Sequence, residues 1–145
     1  MRRKEGFSLV ELLIVLAVMA ALIAMITPVA LNAIRKAKAT QVGQNMKTLA
    51  SAFENYVYVE GEVPSSLSDL GRDIDGSQYA VYYTENTGDY TVVVLTNQDV
   101  NASALQDIIS DITTGTFADK SSYDPLTGSG TFTETFYYQF SFTSY

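Results

Sequence analysis

Fifteen consecutive residues, Leu12 to Ile26, read LLIVLAVMAALIAMI and carry no charge and no polar side chain. With its apolar flanks the stretch runs from Phe7 to Leu31, 25 residues, or about 37 Å as an α-helix at 1.5 Å per residue. A bilayer core about 30 Å thick takes about 20 apolar residues, so this segment is long enough to span it. A secretory signal would set a shorter apolar core before a small-residue cleavage site. Here the run continues into Asn32-Ala-Ile-Arg35-Lys36-Ala-Lys38 instead. A plain membrane anchor fits the length but leaves Glu11 unexplained, flanked as it is by Val10 and Leu12. A carboxylate in hydrocarbon needs a partner; the alternative is a helix-end Glu that reaches the headgroups and favours the positive end of the helix dipole.

The rest of the chain is the electrostatic opposite. Of 145 residues with formal net charge −7, those from Glu60 to Tyr145 contribute −11, with only Arg72 and Lys120 against thirteen carboxylates. Such an acidic chain is a poor polyanion binder, because nucleic-acid affinity is largely phosphate neutralisation; no direct nucleic-acid partner is expected. The chain has no Cys and no His, which removes zinc sites, thiolate or Ser–His nucleophiles and disulfides. Neither paired carboxylates nor a Gly-rich phosphate loop stands out, so the expectation is no enzyme and no cofactor.

The residues Arg2-Arg3-Lys4-Glu5-Gly6-Phe7-Ser8-Leu9-Val10-Glu11-Leu12 resemble the class III leader and helix start of type IV prepilins and the related pseudopilins. The resemblance implies cleavage between Gly6 and Phe7 by prepilin peptidase, and N-methylation of Phe7. It covers about the first quarter of the chain and includes Glu11, fifth residue of the mature chain, and Pro28, where the family commonly has a helix-kinking proline. Pro28 lacks an N–H and clashes with the preceding turn, so a kink is expected there. The family often has a Gly eight residues earlier, where this chain has Ala20. Charge does not orient the segment, since Arg2, Arg3 and Lys4 oppose Arg35, Lys36 and Lys38 across it; the resemblance implies leader in the cytoplasm and domain outside.

Beyond Pro28, apolar residues at Leu31, Ile34, Val42, Met46, Leu49, Phe53 and Tyr56 or Val57 recur at helical spacing, with Lys38 the exception, and predict an amphipathic helix. Gly43 marks flexibility or close packing. The expected organisation is a leader over 1–6, a transmembrane assembly helix over 7–31, an amphipathic helix over 32–59 and an acidic β-rich domain over 60–145. Within the last, a helical turn is expected near Leu70, strands over 78–84 and 90–96 with a turn between them, and a helix over 104–112. A final strand over 131–145 shows Phe132, Phe136, Tyr138, Phe140 and Phe142 on one parity, with Glu134 the exception. The aromatic row is expected to pack on the long helix. The fold class is α+β, a long kinked N-terminal helix on a small antiparallel sheet, which is similar to the pilin plan. Many pilins close a C-terminal loop with a disulfide; this chain has no Cys, so burial of the aromatics is expected to fix the last strand.

The major pseudopilin of type II secretion binds calcium in its C-terminal loop, which makes Asp119 and Asp124 candidate ligands beside an ordinary solvated loop. They lack the EF-hand pattern, and no metal is expected. The resemblance implies a structural subunit of a type IV pilus, stored in the cytoplasmic membrane and polymerised into an extracellular filament. Its implied partners are copies of itself, the prepilin peptidase and methyltransferase, the inner-membrane platform with its assembly ATPase, and membrane lipid before assembly. Glu11 is expected to meet the amino terminus of an adjacent subunit. A pseudopilin of a type II secretion or competence system is the alternative within the family, and a membrane-anchored binding domain the alternative outside it.

Overall fold

A computed structural model describes residues 6–71 and 74–145; the basic leader residues 1–5 and Arg72 lie outside the described residues. The chain divides into two compact units, Met1–Arg35 and Lys36–Tyr145, and one helix, α1 (Leu9–Glu60), contributes to both.

In the first unit α1 remains helical through Pro28. The proline has no N–H to give the Ala24 carbonyl, while the Thr27 hydroxyl next to it donates to the Ile23 carbonyl at 2.7 Å. That bond satisfies a polar side chain inside an apolar stretch. Every large apolar side chain from Phe7 to Ile34 is at least half exposed, from 50% at Leu31 to 88% at Phe7. A helix apolar on all faces needs an apolar surrounding, and α1 is long and apolar enough to cross a membrane.

In the second unit α1 has one buried face. Ala39, Val42, Met46, Leu49, Phe53 and Val57 are buried at spacings of three and four, so the stripe begins at Ala39 and not, as the periodicity suggests, at Leu31. Leu31 and Ile34 are exposed. Gly43 is a site of close packing: a Cβ there would sit 3.0 Å from Ile108 Cγ2 and 3.1 Å from Leu105 Cδ1.

Against this face lies an antiparallel sheet in the order β3-β5-β2-β1-β4, formed by β1 (Tyr79–Asn86), β2 (Asp89–Thr96), β3 (Thr113–Thr114), β4 (Asp124–Pro125) and β5 (Phe136–Thr143). A single turn of 3-10 helix at Leu67–Leu70 precedes it. β1 runs two residues further than expected, and the turn shrinks to Thr87-Gly88 between the paired Asn86 and Asp89. Both turn residues have positive φ, 55° and 88°, as a two-residue primed hairpin turn requires. The helix expected over 104–112 is the short α2 (Ala102–Gln106). Asn101 caps it by accepting from the Ala104 N–H at 2.9 Å, and beyond Asp107 the chain continues in turns that bury Ile109 and Ile112.

The sheet is covered on both faces, whereas alternation suggested one. Tyr79, Val81, Val92 and Val94 join the α1 core, while Ala80, Tyr82, Val93 and Leu95 form a second core with Phe117. That is why β2 reads as a nearly continuous β-branched run. The segment over 115–134 builds this back layer, and Phe117 packs edge-on to Tyr123 with ring centroids 5.1 Å apart.

The last strand is shorter than expected, because residues 131–135 are diverted to a different task. Glu134 is buried, and its carboxylate accepts from the Phe117 N–H at 2.6 Å and from Lys120 Nζ at 2.5 Å. Burial pushes the Glu134 carboxyl up, but the hydrogen bonds from Lys120 and the backbone N–H groups, with the Lys120 charge, outweigh it and leave it below its ordinary value. The exception in the aromatic parity is thus the group that ties the back layer to the sheet. The C-terminal segment is held by this pair and by the eight-residue β2–β5 ladder as well as by its aromatics, of which Phe136 is buried and Tyr138, Phe140 and Phe142 half-buried.

Two substitutions test this architecture in the full chain, followed by tyrosine fluorescence. A Cβ at Gly76 would lie 2.0 Å from the Gly128 carbonyl oxygen, so Gly76→Ala forces two backbones apart and should destabilise by about 1–3 kcal/mol; an unchanged denaturation midpoint refutes the close crossing. The lowered Glu134 value means that its stabilisation is present above the ordinary carboxylate range near pH 4.3 and is lost as pH falls through the folded value. Glu134→Gln is expected to be less stable at pH 7 by about 1–3 kcal/mol and to lose less stability than the parent between pH 5 and pH 2. Parallel pH curves for the two proteins count against the ion pair.

Candidate functional site

The start of α1 gathers the residues singled out in the sequence. Gly6 and Phe7 precede the helix, both exposed, with open space within 4 Å of the position a Gly6 Cβ would take.

Ser8 and Glu11 are joined in a reciprocal pair. The Glu11 Oε2 accepts from the Ser8 N–H at 2.8 Å, and the Ser8 Oγ accepts from the Glu11 N–H at 3.2 Å. This is a capping box, which satisfies two of the backbone donors that a helix start leaves free. The carboxylate also stands at the positive end of the helix dipole. Sequence reasoning weighed Glu11 but missed Ser8 as its partner, although the signal was present: Ser-x-x-Glu immediately before an apolar run. Glu11 is thus held in place within its own chain, and among the described residues only its Oε2 has a donor.

Pro28 lies nearly five helical turns beyond Glu11 within the same uncovered apolar stretch. Asp119 and Asp124 are both exposed. Asp119 accepts from the Ser122 hydroxyl at 2.8 Å, and Asp124 pairs through β4 with Tyr83 of β1. Among the described residues no three or more His, Cys, Asp or Glu side chains are grouped to hold a metal ion. The deepest titratable pair, Glu134–Lys120, is committed to structure, its carboxylate oxygens both occupied.

The geometry therefore sets a capped carboxylate at the mouth of an apolar helix whose side chains are exposed, next to an exposed Gly-Phe junction. No curated protein and no solved structure matches the chain. Residues 1–27, however, match the model of the prokaryotic N-terminal methylation motif, and with that match the chain carries the signature of type IV prepilins and pseudopilins.

Proposed function

We propose that this protein is a structural subunit of a type IV pilus. Prepilin peptidase cuts between Gly6 and Phe7 and Phe7 is N-methylated. The mature chain waits in the cytoplasmic membrane with its acidic domain outside, then enters an extracellular filament through α1. The platform and assembly ATPase supply the work, and the subunit itself performs no catalysis. The observation that carries this reading is the methylation motif over residues 1–27 opening a helix whose apolar side chains the chain itself leaves exposed. Lipid covers such a surface before assembly, and neighbouring copies of the same helix cover it afterwards.

Glu11 then has two roles. Within one chain it caps its own helix through Ser8. In the filament its carboxylate meets the α-amino group of an adjacent subunit, so that two charges costly in an apolar interior become one neutral pair. Pro28 lets α1 bend within the packed bundle.

Mass spectrometry of the native protein is expected to find a methylated Phe7 at the amino terminus; a retained Met1 or a different cut refutes the processing. Micrographs of the sheared surface fraction are expected to show long filaments, whereas a short periplasmic structure would indicate a pseudopilus. Two substitutions separate capping from pairing between subunits. Glu11→Gln keeps a capping acceptor but loses the charge, and is expected to leave a cleaved membrane monomer with filament yield down about tenfold or more. Ser8→Ala removes one cap bond worth about 1 kcal/mol and should still polymerise. The reverse ranking would show that the cap, not the pair, is what assembly requires.

A further inference from the structure

Lys36 and Lys47 stand eleven residues apart on α1, close to three full turns, and Glu54 and Tyr58 continue the same stripe. Both lysines are exposed, and neither makes an ion pair among the described residues, where Lys120–Glu134 is the one salt bridge. The stripe borders a groove of about 280 Å³ lined by Lys47, Ala50, Ser51 and Glu54 of α1 and by Tyr138 and Phe140 of β5. Among the described residues β5 is paired on its outer side only at Phe136 and Tyr137. It contains neither charge nor proline, the usual devices that keep a free edge from meeting another chain.

The far end of this seam is negative and aromatic. The Tyr58 ring lies 5.5 Å from Phe142, and its hydroxyl donates to the Thr143 carbonyl at 3.4 Å. The Thr143 hydroxyl in turn donates to Asp89 at 2.6 Å, and Glu85 stands opposite Tyr90 in the β1–β2 hairpin. Partial desolvation and the neighbouring Glu54 push the Tyr58 phenol up; burial and Glu85 do the same to Tyr90.

We infer that the α1–β5 seam is the face on which a second copy of this chain docks in the same orientation, its Lys36 against Glu54 and Tyr58 of the first. This rests on the filament reading above. Charge complementarity names the occupant: the stripe begins in cations and ends in carboxylates, and Lys120 is already engaged by Glu134. Lys36 and Glu54 are eighteen residues apart and leave the helix in the same direction, so a copy of the same polarity, displaced by about 27 Å along the helix axis and turned about it so that the two stripes face each other, brings them together. The same shift carries Lys47 of the second copy past Glu60 towards the end that holds Glu85 and Asp89. A lysine over the exposed Tyr58 ring adds a cation–π contact.

Two experiments on the full-length protein test this. Lys36→Glu and Glu54→Lys are each expected to lower filament yield about tenfold, and the double exchange to restore it to within about twofold. The native chain has no cysteine, and one helix holds Lys36 and Glu54 too far apart to bridge within a molecule. A Lys36→Cys, Glu54→Cys double variant therefore reports only contacts between copies. It is expected to give an oxidised ladder of dimers and larger species in membranes and sheared filaments, which either single variant does not give. Filaments with neither ladder nor charge-exchange rescue overturn the docking and leave the filament reading standing. A ladder in membranes without surface filaments overturns the filament reading and leaves the docking. A product that stops at the dimer replaces same-orientation stacking with a two-fold contact and overturns the inference, and the absence of ladder and filament together overturns both.

Discussion

One helix must serve two solvents, and the rest of the structure follows from that constraint. An α-helix satisfies its backbone donors and acceptors internally, so α1 can leave an apolar surrounding and enter a protein core without rebuilding its hydrogen bonds. What changes along it is the side-chain pattern. Through Ile34 the apolar groups are exposed on all faces; from Ala39 onward a single buried stripe remains. At its start Ser8 and Glu11 cap each other, and beside Pro28 the Thr27 hydroxyl is satisfied by the Ile23 carbonyl.

The second unit solves a small-domain problem without a disulfide. With no Cys available, long connections are held by backbone crossings and one buried charge pair. Gly76 and Gly130 let two loops approach to distances no Cβ permits, and Ser129 Oγ accepts from the Val81 N–H at 3.0 Å, tying that crossing to β1. Glu134 fastens the opposite layer by taking up the Phe117 N–H and Lys120 together. These contacts allow the sheet to be buried on both faces, and a sheet so buried rewards unbroken Val-rich strands such as β2.

Much of this was legible in particular residues. The Leu12–Ile26 run announced the exposed helix, the spacing of Met46, Leu49 and Phe53 announced the stripe, and the alternation of Phe136 to Phe142 announced β5. The misreadings have a common cause in partners distant along the chain. Leu31 and Ile34 fit the helical period but are exposed. The parity exception at Glu134 acquired meaning only when Phe117 and Lys120 came within bonding distance. The hairpin turn was drawn too long because tightness at Thr87-Gly88 depends on φ values that composition only partly encodes. At the start of α1 the reverse held: Ser-x-x-Glu is a local motif, and its capping box could have been read directly.

Local pattern therefore determined the apolar helix, its Gly-Phe junction and capped carboxylate, the absence of thiol and imidazole chemistry, and the separation of charge between helix and domain. These depend on residues within a few turns of one another, where period and composition act alone. Tertiary structure decided where the buried stripe begins, that the sheet has two covered faces, that Gly43, Gly76 and Gly130 serve close approach, and that among the described residues Lys120 is paired while Lys36 and Lys47 are not. Each of those is a statement about which distant segment, if any, arrives at a given side chain. Burial and pairing are properties of that meeting, and no window along the chain contains both partners.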